Sequence, residues 1–330
     1  MSAVTKDFVG SHKQRDWPKH IVILAFLLIE LFPLYMMFQV SFKDDSSFVR
    51  NPWLPTPPFS VVETHADADG TETVTTRAAG WSELFGKHSA SHDPSVTSSS
   101  LRFDPSVYKL GNWRFGLKLI GPYIANTVFV AVTGTLGCLC LAIFGSYFFA
   151  RYKMPFSGVL WSAFLLLMLM PSVANIVPLF TLLKNFNLLN TLWALIILGI
   201  SGGQVFNIFV LKHFVEDLPK DLFEAAEMDG ASHLQQIRNI VIPMSGSIIG
   251  TLTILSFLGQ WNDFLMPLIT LRDKDLFTLG VGLIYLDGEY VKHWGQIMAA
   301  YFIASIPLIV IFLFCMRLFV RGLSAGAVKG

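Results

Sequence analysis

The side chains best suited to holding a hydroxyl-rich ligand stand together at Trp261-Asn262-Asp263-Phe264, an amide and a carboxyl beside aromatic rings within an apolar run. Planar polar groups pair with hydroxyls and ring faces take the apolar faces of such a ligand, whereas an apolar ligand needs neither. The same pair also serves helix packing or an interfacial position, so residue type alone leaves both uses open. Adjacent helix positions differ by about 100°, so Asn262 and Asp263 cannot both point the same way. Two further polar groups sit in apolar surroundings. Glu30 interrupts the run Ile21 to Ser41, where an ionisable side chain faces a bundle interior or an aqueous path, or packs protonated and hydrogen-bonded. Asn175 lies between Pro171 and Pro178, whose missing donors break a helix where neighbours or a water-lined cavity satisfy the freed backbone. Bond-making chemistry is not encoded. There is no G-x-x-x-x-G-K-[ST] loop, no H-E-x-x-H and no G-x-S-x-G, so no catalytic residue is assigned and no ATP is hydrolysed by this chain. His88 and His92 lack further ligands at metal spacing, and Cys138, Cys140 and Cys315 all fall in apolar runs, so neither a metal site nor a disulfide framework follows.

A second cluster is mechanical rather than chemical. Leu218 to Pro243 is a polar helical stretch between long apolar runs. Pro219 suits the first turn of a helix, and Asp221 and Glu224 put negative charge at its positive end. Leu222, Ala225 and Ala226 share one small apolar face. Gly230 after Asp229 can take the left-handed conformation that ends a helix. Ser232 and Gln235 match a capping box, so a second helix begins at once, with Leu234, Ile237 and Val241 on its buried side. A helix, a glycine corner and another helix between membrane spans make either a docking element or an ordinary solvated surface loop.

The elements that must carry these groups are six apolar runs: 21–41, 123–150, 157–182, 192–211, 244–271 and 297–319, each near or above the ~20 residues of a spanning helix. With 53% of residues hydrophobic, 14% charged and net charge +1, the chain reads as an all-α polytopic membrane protein with no electrostatic case for nucleic acid. No cleavable leader is evident before the first run, and Pro33 should kink it. The segment 42–118 is polar. Its Asn51 to Pro58 stretch reads as an extended strap. Val61 to Arg77, centred on Asp69-Gly70, reads as a hairpin on a type I′ turn or, with the Ser/His/Asp-rich run to Ser100, as a flexible insertion. With the N-terminus inside, the inner segments (1–20, 150–157, 212–239, 317–330) hold 12 Lys and Arg against 4 in the short outer loops (183–190, 271–296), which supports that orientation.

E-A-A-x-x-D-G-A at Glu224 to Ala231, followed by Ile237 and I-V-I-P at Ile240 to Pro243, resembles the EAA loop of binding-protein-dependent ABC importer permeases. W-N-D-F-x-x-P-L from Trp261 and the terminal R-x-F-V-R-G-L-S-A-G-A-V-K-G resemble the carbohydrate-uptake branch, near the smaller permease subunit of maltose-type transporters. The likeness covers Tyr123 to Gly330, the first span and the Asn51-Pro52-Trp53 strap. The region Val61 to Lys109 is not covered by it and reads as an insertion.

The resemblance implies a six-helix type I importer fold in a bacterial or archaeal inner membrane. Residues 1–20 form a cytoplasmic N-terminus, 21–41 the first helix, 42–118 an external loop, 119–319 the permease core with a coupling loop at 212–243, and 320–330 a cytoplasmic tail. It implies a sister permease, two ATPase subunits that use ATP and Mg, an extracytoplasmic sugar-binding protein and surrounding lipid. This chain itself would carry no cofactor. Glu224, Ala225, Ala226, Asp229, Gly230 and Pro243 would seat in the ATPase, and Trp261, Asn262, Asp263, Glu30 and Asn175 would line or border the path. Two alternatives stand beside this: a secondary transporter using Glu30 and Asp263 as coupling carboxylates, which the lack of an internal repeat disfavours, and a permease for a non-sugar solute.

Overall fold

The computed structural model describes residues 17–66, 72–85, 96–152, 155–289 and 293–327, with backbone alone at 66, 97, 172, 287–289 and 314–327. The expected turn at Asp69-Gly70, the pair His88 and His92, and the N-terminal segment through Asp16 lie outside the described residues. The chain divides into two compact units, residues 1–113 with 292–302 and residues 114–291 with 303–330.

In the first unit, α1 (Trp17–Val40) runs through Pro33 without a break, and its side chains from Trp17 to Phe32 are all exposed. A helix this apolar on every side, and this exposed among the described residues, is a helix built for lipid or for another subunit. After it come α2 (Asp45–Arg50), capped by the Asp44 carboxylate accepting from the Ser47 N–H at 2.9 Å, and the proline-rich strap. Lys43 pins that strap. Its ammonium is 2% exposed and donates to the carbonyls of Asn51 and Leu54, each at 2.6 Å. Where the sequence left a hairpin or a flexible insertion open, an ordered sheet forms. Strands β1 (Phe59–Ala66) and β2 (Glu72–Ala78) pair antiparallel with Val62 opposite Thr76; α3 (Trp81–Leu84) follows, and β3 (Val96–Phe103) joins the other edge of β1, giving the order β2-β1-β3. The Arg77 guanidinium bridges Glu63 (2.7 Å) and Glu83 (2.6 Å), and Glu83 also accepts from the Gly80 N–H at 2.6 Å. Burial works to raise the Glu83 carboxyl, but Arg77 and Gly80 outweigh it and hold the group below the usual carboxylate range.

The second unit is helical. Helix α4 (Gly111–Arg151), which begins in the first unit, is followed by α5 (Ser157–Leu169), α6 (Ile176–Asn185), α7 (Leu192–Gly202) and α8 (Gln204–Glu216). Then come α9 (Lys220–Met228), α10 (His233–Gln236), α11 (Ile242–Met244), α12 (Gly246–Trp261), α13 (Leu265–Thr270), α14 (Leu279–Glu289) and α15 (Trp294–Ala327). Among the described residues four helices are long and apolar enough to cross a membrane, and the count reaches six if two bent pairs are single broken spans.

One of those bends falls where the prolines around Asn175 were expected to break the 157–182 run. Between α5 and α6 the chain turns by 96° through extended Met170 and Pro171 and a short 3₁₀ turn ending at Asn175. Pro171 makes the break; Pro178 falls in the first turn of α6, where its missing donor is harmless. The run expected over 244–271 is also interrupted, because helix stops at Trp261 and resumes at Leu265.

Candidate functional site

The helix-corner-helix element forms as its caps dictate. Helix α9 begins after Pro219, and Gly230 takes φ +74°. The Gly230 N–H reaches the Glu227 carbonyl (3.0 Å) and the Ala231 N–H the Ala226 carbonyl (2.9 Å), the paired bonds of a Schellman ending. Ser232 and Gln235 then make the capping box, with the Ser232 N–H donating to Gln235 Oε1 at 2.7 Å. Beyond α10 the helix widens into a π-helical turn, Ile237–Val241, in which the Ile242 N–H reaches the Ile237 carbonyl. Pro243 accounts for this: it has no N–H to close the next bond, and its ring would crowd the Asn239 carbonyl of a regular helix. An 84° bend then leads into α12.

Of the predicted buried side, Ile237 and Val241 are enclosed as expected but Leu234 (61% exposed) points outward. Leu222 (41% exposed), Glu224, Ala225 and Asp229 also point outward, and Ala226 is half-buried. The buried anchor is Phe223, which sequence reasoning passed over. It is fully enclosed with Tyr147, Val215, Leu218, Ile237 and Val241, and the Arg151 guanidinium lies 4.0 Å from its ring centre. The Tyr147 hydroxyl donates to Gln236 Oε1 at 2.7 Å, and His233 Nδ1 lies 3.2 Å from that hydroxyl and 3.1 Å from the Tyr152 hydroxyl. The element is thus fixed by aromatic and polar contacts to the end of α4. It leaves Leu222, Glu224, Ala225, Met228 and Leu234 free on its outer side.

The second candidate region centres on the break after α12. Trp261 is buried against Phe257, so its ring is packed in the protein rather than displayed. Asn262 is exposed and turns back, donating to the Leu258 carbonyl at 2.9 Å. Asp263 is half-buried and accepts from the Met266 N–H at the start of α13 (3.4 Å). The three successive side chains diverge, as their spacing requires. Asn175 is half-buried at the start of α6. Glu30 is exposed on α1, in the other unit.

Three polar residues that sequence reasoning missed gather one turn before Trp261. Gln260 passes between α4 and α7 at Gly134 and Gly199; a methyl group at either glycine would overlap its amide, which lies 3.2 Å from Thr135 Oγ1. Asn207 on α8 is 2% exposed and donates to Ser256 Oγ on α12 (3.1 Å) and towards Cys138 Sγ on α4 (3.2 Å). These groups border a cavity of about 290 Å³ whose lining includes Leu198, Gly202, Phe206 and Gly259. The signal was present in the sequence. Amides at Asn207 and Gln260 inside apolar runs are costly in hydrocarbon unless a neighbouring helix or an aqueous path meets them.

Comparison with known proteins bears on both regions. Residues 141–325 match the family described as binding-protein-dependent transport system inner membrane component. The arabinooligosaccharides transport system permease protein AraQ of Halalkalibacterium halodurans is 30% identical over 234 residues, covering 70% of this chain and 83% of that protein. The maltose/maltodextrin transport system permease protein MalG of Vibrio vulnificus is 28% identical over 326 residues, covering 97% of this chain and 98% of that one. A crystal structure of a bacterial ABC transporter that imports the acidic polysaccharide alginate has a chain of the same fold, with TM-score 0.68 at 18% identity over 95% of this chain and 99% of that one.

Proposed function

Because the chain belongs to the family of binding-protein-dependent transport system inner membrane components, we propose that it is the permease subunit of an ATP-binding-cassette importer that carries a sugar across a bacterial or archaeal cell membrane. The relatives whose names specify arabinooligosaccharides and maltose support the sugar. As a multi-pass subunit with no phosphate-binding loop it takes its energy from elsewhere. Two ATPase subunits using ATP and Mg would supply it, a sister permease would complete the path and an extracytoplasmic binding protein would deliver the solute. The charge bias of the loops supports cytoplasmic termini and a cytoplasmic 218–243 element.

The observation that carries the coupling role is an outward face on an anchored base. Glu224, Ala225, Ala226, Asp229 and Gly230 sit on or beside a short helix whose outer side is uncovered, while Phe223, Arg151 and Tyr147 fasten that helix to α4. Closure of the ATPase pair would move α9, and α4 would carry the displacement into the membrane. The π-helical turn and Pro243 give the second half of the element a joint before α12. Asn262 and Asp263 would border the path near its outer end, backed by the packed ring of Trp261, with Asn175 at the α5–α6 break; Glu30 on α1 is a further candidate.

Uptake by the assembled complex in proteoliposomes tests this reading. With ATP inside and the binding protein outside, maltose, maltotriose, trehalose and an arabinotriose form the panel. Accumulation of at least one, surviving collapse of the proton gradient, is the expected result. Abolition of uptake by that collapse alone would make the carrier ion-driven.

A further inference from the structure

We propose that the strap Asn51 to Pro58 is a membrane element: it lies in the lipid leaflet at the Val40 end of α1, with Trp53 and Leu54 among acyl chains and Arg50 at the level of the phosphates. The inference rests on α1 crossing the bilayer and goes beyond the sugar-importer reading. Depth is the first observation. The Trp53 ring stacks on that of Phe32, with centroids 6.3 Å apart and planes 19° from parallel. Phe32 stands eight residues before the end of α1 at Val40, about 12 Å of helix rise. The Gln39 amide holds the strap there, donating to the Pro52 carbonyl at 2.6 Å. The chain therefore folds back along the apolar helix it has just left, and Trp53 and Leu54 stay 64% and 52% exposed among the described residues.

The backbone is prepared for such a place. Water satisfies the peptide groups of a surface loop, whereas in hydrocarbon the protein must satisfy them itself. Pro52, Pro55, Pro57 and Pro58 carry no N–H. Of the four N–H groups that remain in the strap three are bonded, that of Asn51 to the Ser47 carbonyl and those of Trp53 and Leu54 to Asn51 Oδ1 at 3.3 and 3.2 Å. Six of the eight carbonyls accept a hydrogen bond: besides those held by Lys43 and Gln39, Pro55 accepts from the Trp81 indole at 2.7 Å, and Pro57 and Pro58 from the N–H groups of Phe59 and Asp104. The apolar side chains are turned out and the polar backbone is turned in.

The side chains select lipid as the partner. Tryptophan beside a long cation is the pairing that gathers at the boundary between hydrocarbon and headgroups. Arg50 borders the same shallow pocket as Leu54 and Pro55 and is exposed. Its guanidinium reaches Ser46 and the Ala78 carbonyl only at 3.4 Å, long for a charged donor, which leaves it available to a phosphate. A sister permease laid along α1 is the competing cover.

Collisions of a spin label with oxygen, which concentrates in hydrocarbon, and with a water-soluble nickel chelate separate the two. A nitroxide is attached at Leu54→Cys, with Cys138, Cys140 and Cys315 replaced by serine, in the assembled complex reconstituted into vesicles of phosphatidylethanolamine and phosphatidylglycerol. Trp53→Cys takes its place should the first variant not assemble. Thr76→Cys, exposed on β2, is the water reference. There the chelate should collide more often than oxygen, and at the strap the ratio should invert. A chelate that leads at the strap as well would put the segment in water, and a label that neither reagent reaches would give it to the sister chain; either result overturns the proposal. The readout involves no transport, so it fails or holds separately from the sugar-importer reading.

Discussion

The 218–243 element and the Gln260 groove lie in the same helical unit and are specified in opposite ways. The first is written locally: Pro219, Gly230, Ser232, Gln235 and Pro243 each set the backbone within a few residues of themselves, and each does so in the structure. The second is assembled from α4, α7, α8 and α12, so Gly134, Gly199, Asn207 and Gln260 acquire meaning only when four separate helices meet. A permease needs both kinds. A docking surface must keep its shape while its partner moves, and a path must be able to change as helices shift.

Substitutions that disturb one region and spare the other sharpen this contrast. The largest effect is expected from Phe223→Ala, which empties the enclosed base of the docking element and should cost about 3–5 kcal/mol locally. Limited proteolysis should then cut 218–243 faster, with the α4 to α12 groove still folded. If cleavage is unchanged, Phe223 is not the anchor. Next is Gly134→Ala, where a single methyl group overlaps the Gln260 amide. Overpacking of this sort costs about 1–3 kcal/mol, read as a lower unfolding temperature in detergent. Pairing it with Gln260→Ala should recover part of that loss, and no recovery would deny the interlock.

Much of this was legible in the sequence. The helical membrane fold, the helix-corner-helix element and its glycine follow from hydropathy and capping, which are short-range signals. The buried anchor of that element did not follow: periodicity placed Leu234 inward with Ile237 and Val241, but Leu234 is exposed and the aromatic end of α4 encloses Phe223 instead. The groove was hidden for a related reason. Trp261, Asn262 and Asp263 drew attention as a cluster in one run, yet Trp261 is packed inward and Asp263 meets the start of α13, while the residues that border the cavity are spread over four helices. The sheet β2-β1-β3 depended on pairing β1 with β3 across more than thirty residues, which no local rule foresees.

Two smaller effects extend the comparison. Asp263→Asn keeps size and hydrogen-bonding capacity without ionising. An ATP-driven path should retain uptake through it independent of pH, changed in affinity by about threefold at most, and loss of accumulation would give Asp263 a proton-carrying role. The first unit supplies the weakest test. Glu83 lies below its ordinary value, so its contribution is fully present above the unfolded carboxylate pKa of about 4.3 and is lost as pH falls through the lower folded value. The Arg77 bridge is partly exposed, so the loss should be under about 1 kcal/mol. Protection factors of the β1 and β2 amides, with the intrinsic pH dependence of amide exchange divided out, should fall modestly in wild type as pH drops through the carboxylate range and change little there in Glu83→Gln.

The central claim is that the outer face of 219–230 takes up the work of the ATPase, and Gly230→Val addresses it directly. The position has open space for a side chain, so the only penalty is the left-handed backbone, about 1–3 kcal/mol for a β-branched residue. That strain should distort the corner and displace Glu224 from its seat. The measurement is ATP hydrolysis by the assembled complex in proteoliposomes, with and without sugar-loaded binding protein. The account predicts that Gly230→Val inserts normally and loses most of the stimulation; a variant that inserts normally and is stimulated as wild type is would contradict it.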